Sequence, residues 1–170
     1  MPPAAHTIWL VLLVLATSVW LGGYVALAVV ARASATSLEP AARVAFFQGD
    51  ACNLKPQFTG YDFILAANLV DRLYEPAKFL KSIHERLKVG GLMLVATPCT
   101  WLVEHTPRER WVGGFKKDGR PVRTLDGLAQ ALAPHFERVG AVHEVPFVIR
   151  ETRRKHQHTL SQATFWRRVR

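Results

Sequence analysis

The first 31 residues of this 170-residue chain contain no Lys, Arg, Asp or Glu, and the first charged side chain is Arg32. All 35 charged residues therefore lie in the last 139 positions, where they make up about a quarter of the sequence, as in ordinary globular domains. A segment of that length builds one hydrophobic core but not two. The chain thus divides into an apolar leader and one globular-type domain. Its composition excludes collagen, a coiled coil, a disulfide scaffold and wholesale disorder.

Residues 8–31 form an apolar run that predicts a transmembrane helix. At about 1.5 Å per residue such a helix spans roughly 36 Å, which exceeds a hydrocarbon core of about 30 Å. Basic residues follow the run, at Arg32 and Arg43, and none precedes it. The positive-inside rule therefore predicts a single-pass membrane protein whose C-terminal domain is cytoplasmic.

Two alternatives to a membrane anchor stay open. The segment Ala33-Ser34-Ala35 is a plausible signal-peptide cleavage site. An incorrect gene model would instead join an unrelated leader to a domain that is cytoplasmic by itself.

Beyond a small, polar linker at residues 32–42, strand and helix patterns alternate along the chain. The strands are predicted from short apolar or β-rich runs without a helical period, at residues 44–48, 61–67, 92–97, 136–144 and 163–168. One helix is predicted from Pro76 to Leu87 and is ended by Gly90-Gly91. A second covers residues 127–132 and is capped by Thr124 or Asp126, and residues 100–124 before it are loop-like.

This order predicts an α/β fold with parallel strands at its centre. Ligands of such sheets bind beyond the carboxyl ends of the strands. Three strand ends are therefore candidate binding positions: residues 49–51, 67–68 and 97–99.

Three short motifs follow one another along the chain: Gly49-Asp50-Ala51-Cys52-Asn53-Leu54, then Tyr61-Asp62 at the start of a predicted strand, then Lys88-Val89-Gly90-Gly91 before the next predicted strand. Together they resemble the back half of a class I S-adenosylmethionine-dependent methyltransferase. The resemblance implies that the Asp50 carboxylate accepts a hydrogen bond from the adenine amino group. The backbone N–H of Ala51 would meet a ring nitrogen. Ala67 and Asn68 would line the floor beneath the methionine part of S-adenosylmethionine and the reacting methyl.

A closer resemblance covers residues 43–170 and is to the methyltransferase domain of ovothiol-biosynthesis proteins. It is carried by residues 47–54, 66–73, 101–104, 106–115, 146–151, 154–157 and 163–167, of which Trp111-Val-Gly-Gly-Phe115 is among the most distinctive. It implies methyl transfer from S-adenosylmethionine to an imidazole nitrogen of a thiohistidine, with no metal. In-line attack by a neutral nitrogen requires mainly positioning, and no catalytic residue is indicated. The candidate substrate-binding residues are Trp101, Glu104, Trp111, Arg150 and Gln157.

The front half of that fold has no counterpart before Arg43, because no strand, glycine-rich turn, helix and acidic strand end occur there. The expected fold is thus an α/β, truncated Rossmann-like sheet that holds the third to seventh strands of the family and follows one N-terminal transmembrane-type helix. The family's strand order is third, second, first, fourth, fifth, seventh, sixth. Loss of two strands would leave a gap near 14 Å between the third and fourth at about 4.8 Å per strand. The rival interpretation is therefore a non-catalytic, membrane-anchored remnant or interaction module.

The basic tail is the remaining sequence feature with a functional interpretation. Residues 150–170 contain seven Lys or Arg and one Glu, so contact with anionic lipid is predicted, or with a substrate carboxylate through Arg150 or Lys155. No nucleic-acid-binding signature is present. The pair His156-x-His158 is interpreted as solvated rather than metal-binding. Cys52 and Cys99 have no His near them in sequence and are predicted to be buried strand-end residues.

Overall fold

The computed structural model describes residues 48–170. The predicted membrane helix, the linker and the predicted strand at residues 44–48 lie outside this range, apart from Gln48. Within residues 48–170, no helix is long and apolar enough to cross a membrane.

Apart from a short hairpin at residues 115–122, the strands and helices of the described chain follow the order that the sequence predicts. Its elements are β1 (Tyr61–Ala67), α1 (Pro76–Ser82), β2 (Leu87–Thr97), β3 (Phe115–Lys117), β4 (Arg120–Val122), α2 (Thr124–Leu132), β5 (Phe136–Arg150) and β6 (His156–Arg168). Short 3-10 turns lie at Ala51–Asn53, Val70–Arg72, Ile83–Arg86 and Arg108–Arg110.

Four of these strands form one mixed sheet in the order β1-β2-β6-β5. β1 and β2 are parallel, whereas β6 runs antiparallel to both of its neighbours. This is the order that the resemblance implies for the family's fourth, fifth, seventh and sixth strands. The α/β prediction is therefore confirmed for this half of the sheet.

One face of the sheet packs on both helices and forms the core. Fully buried side chains of β1 and β2 form one cluster with those of α1, of the 3-10 turn after it and of α2, and the set is Ile64, Ala66, Met93, Val95, Phe79, Leu80, Ile83, Leu128 and Leu132. Period-2 alternation then turns the intervening residues to the opposite face. There Leu65, Leu94 and Phe165 are cross-strand neighbours. They are half-buried and belong to no part of the described core.

The pair Gly90-Gly91 does not end a helix, so that prediction was wrong. Helical structure ends at Arg86, and both glycines lie within β2. Tyr61 pairs with Leu87 but Phe63 pairs with Leu92, so residues 88–91 bulge out of the ladder. Gly90 has φ +84°, and a Cβ on Gly91 would lie 2.9 Å from the Lys88 carbonyl oxygen. The positive φ of Gly90 and the close contact at Gly91 both favour glycine, and both lie within this β-bulge.

Two further predictions changed in extent. β5 and β6 are longer than expected and continue as a two-stranded hairpin through the polar stretch that was predicted to separate them. The predicted loop at residues 100–124 contains the small β3–β4 hairpin. The β3–β4 strands have only three residues each and half of these residues are charged, whereas β5 is continuously apolar from Val145 to Ile149 and β6 is polar from His156 to Thr159. Neither hairpin therefore shows the apolar alternation by which strands are recognised.

Two glycines bring the loop that follows β2 onto α2. A Cβ on Gly127 would lie 1.6 Å from the Val112 carbonyl oxygen, and one on Gly113 would lie 2.4 Å from the Thr124 backbone. Only glycine permits this approach of backbone to backbone. The distinctive run at residues 111–115 therefore packs the loop after β2 against α2.

A pair of stacked imidazoles closes the end of the core that lies near the start of β2. The rings of His84 and His135 are 3.6 Å apart and nearly parallel, at 7°. Burial lowers the pKa of His84 most and the neighbouring His135 next, with a smaller lowering by Arg168, whereas the bond to the Lys81 carbonyl and the charge of Glu85 raise it. The fold therefore favours neutral His84.

The stack predicts that acid destabilises the protein. Because the pKa of His84 is lower in the folded chain, its contribution is complete above the ordinary histidine value of about 6.5 and is lost as the pH falls through that value. We expect the free energy of unfolding to fall between pH 7.5 and pH 5.5, as measured by urea denaturation, and to fall less in His84→Gln. His143, exposed on β5, supplies the control variant His143→Gln, and equal pH slopes for the two variants would contradict the prediction.

Candidate functional site

The carboxyl ends of β1 and β2 are joined by a buried carboxylate. Asp71 is fully buried, and its Oδ2 accepts from the Thr100 N–H (3.1 Å), the Thr100 hydroxyl (3.2 Å) and Arg72 Nη1 (3.0 Å). Arg72 also donates to the Thr100 carbonyl oxygen at 2.6 Å. The loops that follow the two strands are thereby held together at this edge of the sheet.

Asn68 directly follows β1, as predicted, and is hydrogen-bonded to both β2 and β6. Its N–H donates to the Ala96 carbonyl oxygen (2.7 Å), and its Oδ1 accepts from the Ser161 hydroxyl (2.7 Å). Asn68 has φ +51°, a left-handed conformation that asparagine tolerates better than most residues. Both Asn68 and Ala67 are exposed at the edge of the sheet.

Asp50 and Ala51 lie beside the segment that precedes α1. Asp50 Oδ1 accepts from the Cys52 N–H (2.8 Å) and so caps the 3-10 turn, while Oδ2 accepts from the Tyr74 hydroxyl (2.7 Å). The bond to the carboxylate raises the pKa of Tyr74 to about 12. Asp50 is exposed whereas Ala51 is fully buried. A carboxylate has further lone pairs, so Asp50 can still accept a bond from a ligand.

The predicted substrate-binding residues fall into two separate groups. Trp101 is 7% exposed and donates from Nε1 to the Thr124 hydroxyl at 2.9 Å. Trp111 stacks on it with ring centres 6.0 Å apart, and Glu104 is exposed nearby in sequence, paired with His105. Arg150 and Gln157 lie instead near the tip of the β5–β6 hairpin, so the structure does not bring the five residues together.

An open pocket of about 370 Å³ lies beyond the carboxyl end of β2. Its lining is Pro98, Cys99, Gly114, Arg123, Thr124, Glu144, Leu160 and Gln162. Trp101 supports this lining from behind, because it bonds Thr124 and its ring lies 2.9 Å from a Cβ placed on Gly114. Residues 97–99, one of the three strand ends named from the sequence, thus border a pocket in the described part of the chain.

The polar groups of the pocket carry opposite charges. Arg123 supplies a guanidinium, Glu144 a carboxylate and Gln162 an amide. The Cys99 thiol donates to Gln162 Oε1 at 3.8 Å, and burial raises its pKa. Cys99 is therefore a neutral thiol rather than a thiolate nucleophile. The pocket is suited to binding and orienting a small polar molecule.

Sequence reasoning missed Arg123, Glu144 and Gln162. They come from the residue before α2 and from β5 and β6, which only tertiary packing brings together. The sequence pointed to this pocket only through the strand end at Cys99. It does not show which residues lie next to Cys99 in space. Among residues 48–170, no group of three or more His, Cys, Asp or Glu side chains could hold a metal ion.

No family model and no curated protein matches this chain. Among solved structures, it resembles the protein studied in the conversion of a disulfide bond into a thioacetal group during echinomycin biosynthesis. That likeness has a TM-score of 0.53 at 14% identity and covers 81% of this chain and 59% of the other. An S-adenosylmethionine-dependent methyltransferase from Methanosarcina mazei matches over 82% of this chain and 77% of its own, at 16% identity and a TM-score of 0.47.

These likenesses concern the fold. The first has a TM-score above 0.5 and supports a shared fold, and this chain spans 59% of that structure's length.

The Asp71 contacts predict that the stability of this edge of the sheet depends on the negative charge of one carboxylate. We expect Asp71→Asn to lower the free energy of unfolding by about 1–3 kcal/mol, because a buried carboxylate that accepts three bonds becomes a neutral amide. Urea denaturation measures the change. Asp118→Asn, in the exposed β3–β4 turn, is the matched control, and an equally small effect of both substitutions would contradict the role of Asp71.

Proposed function

We propose that this chain performs S-adenosylmethionine-dependent methyl transfer to a nitrogen of a small molecule, with the imidazole of a thiohistidine as the acceptor. The observation that best supports this function is the position of the pocket. It opens beyond the carboxyl end of β2 and is lined by Gln162, the neighbour of Ser161, which bonds Asn68. In a sheet of this order, ligands bind at that edge.

The described residues fit two parts of S-adenosylmethionine, namely the adenine amino group at Asp50 and the methionine part at Asn68. Asp50 is exposed and has lone pairs left to accept from an amino group. Asn68 uses its Oδ1 on Ser161, which leaves the Nδ2 group of its exposed side chain to donate to a ligand. When bound, the co-substrate supplies a sulfonium methyl group. Within residues 48–170 we find no glycine-rich strand-to-helix turn to meet its methionine carboxylate.

The pocket is matched to a small zwitterion. Arg123 would hold a carboxylate and Glu144 an amino group, so that an amino acid would be oriented between them. A volume of about 370 Å³ is at the lower end of small-molecule sites. A neutral imidazole nitrogen needs no base to attack a methyl group, so the residues of the chain would contribute mainly the position of the acceptor.

A second function is favoured by the opposite face of the sheet. Leu65, Leu94 and Phe165 form an apolar row outside the described core. A chain that presents such a row can act as a non-catalytic interaction module, anchored to a membrane by residues 8–31. This rival predicts that the protein does not bind S-adenosylmethionine.

Calorimetric titration with S-adenosylmethionine separates the two functions. We expect binding that Asp50→Ala weakens roughly tenfold, since one hydrogen bond to a charged group contributes about 1.5 kcal/mol or more. Tyr74→Phe leaves the carboxylate in place and should weaken binding much less. Asp62→Ala, at the opposite end of β1, is the matched control. Absence of binding heat from the folded protein would favour the interaction module.

The acceptor site makes a separate prediction. We expect Arg123→Gln to raise KM for the thiohistidine by about tenfold with little change in kcat, because a charged contact to the remote carboxylate is lost. Methyl-transfer kinetics measure this. Arg120→Gln, an exposed position in β4, is the control, and identical KM values for the two variants would exclude Arg123 from acceptor binding.

A further inference from the structure

The β5–β6 hairpin extends beyond the sheet as a two-stranded arm. β2 pairs with β6 from Arg167 as far as Gln162 and no farther. β5 and β6 continue through six more cross-strand pairs, from Val145 with Ser161 to Arg150 with His156. At about 3.3 Å per residue this section is roughly 20 Å long. We call residues 145–161 the arm.

The arm exposes large aliphatic side chains. Val145 is 46% exposed, Val148 59% and Leu160 49%. From Val145 to Leu160 none of its residues is buried. Val148 and Leu160 share one face, because they pair across the strands with His158 and Pro146. An apolar surface of this kind on a projecting element marks an interaction site rather than part of the core.

The tip of the arm is cationic and is held in one shape. Residues 150–155 contain four basic side chains and one acidic side chain. Glu151 pairs with Lys155, so Arg150, Arg153 and Arg154 have no carboxylate within ion-pair distance among the described residues. The Thr152 hydroxyl accepts from the N–H groups of Arg154 (3.2 Å) and Lys155 (3.0 Å). These bonds fix the turn that presents the guanidinium groups.

We propose that the arm docks on an anionic lipid surface. Arg150, Arg153 and Arg154 would contact lipid phosphates, and the aliphatic face with Val148 and Leu160 would enter the interface. Basic groups next to exposed aliphatic side chains suit a charged apolar boundary. Nucleic acid fits less well, because single strands are bound by exposed aromatic rings, and Phe147, the one aromatic residue of the arm, is half-buried.

Docking would also orient the candidate site. Leu160 belongs both to the arm and to the lining of the pocket, and Glu144 and Gln162 line the pocket at the base of the arm. The mouth of the pocket would therefore face the lipid surface. This proposal does not depend on methyl transfer, because the arm could bind lipid in either of the proposed functions.

Limited digestion of the full chain by trypsin tests the proposal, whether or not the leader inserts. The chain is mixed with vesicles of phosphatidylcholine, or of phosphatidylcholine with phosphatidylserine, and cleavage after Arg153, Arg154 and Lys155 is followed by mass spectrometry. We expect the anionic vesicles alone to slow this cleavage by about tenfold or more, and added salt to restore it. Cleavage after Lys116 and Lys117, the last two residues of β3 before the β3–β4 turn, is the internal reference and should not slow.

A matched pair of variants tests the aliphatic contact. Val148→Ser keeps every cleavage site and should reduce the protection several-fold, whereas Val103→Ser, at a 66% exposed valine outside the arm, should not. Equal protection on neutral vesicles, no protection on anionic vesicles, or equal protection of the β3–β4 turn would overturn the proposal. So would identical behaviour of the two variants, or protection by RNA without protection by vesicles.

Discussion

The carboxylate of Asp71 is the interaction on which the candidate site depends. It is fully buried and joins the loop after β1 to the loop after β2 through Thr100 and Arg72. Asn68 is three residues before it and Cys99 is one residue before Thr100, so the contact fixes both strand ends relative to each other. A buried charge is tolerated only when it is paired and hydrogen-bonded. The same bonds that make Asp71 stable in the interior therefore define the shape of the site.

The two faces of the sheet differ in how deeply their apolar side chains are buried, and the two proposed functions explain this difference differently. On one face, Ile64, Met93 and Val95 are fully buried against the helices. On the other, Leu65, Leu94 and Phe165 lie outside the described core. Each square ångström of apolar surface that leaves water contributes about 25 cal/mol, so a partner for this face would add stability. In the methyltransferase proposal that partner is part of a catalytic domain, and in the rival proposal it is another molecule. Binding of S-adenosylmethionine distinguishes the two.

The sequence predicted β1 to the residue, because Tyr61–Ala67 is a short apolar run between turn-forming segments. It did not predict the bulge at Gly90-Gly91, since the same dipeptide also ends helices and only the register of β1 on β2 distinguishes the two uses. Asp50 and Asn68 were predicted from motifs, because each follows a run of residues with the sequence pattern of a strand. Arg123, Glu144 and Gln162 were not, because each comes from a different element and tertiary packing alone makes them neighbours.

Trp101 illustrates how a residue can shape a site without entering it. Its indole N–H is already satisfied by Thr124, and its ring lies behind Gly114, so the wall of the pocket takes its position from the tryptophan. Gly113 and Gly127 then allow the loop to reach the helix. The distinctive run at residues 111–115 is thus explained by packing. In the proposed functions, the charged side chains of Arg123 and Glu144 would select the ligand. Leu160 lines the same pocket and belongs to the arm, so it would connect ligand binding with lipid docking.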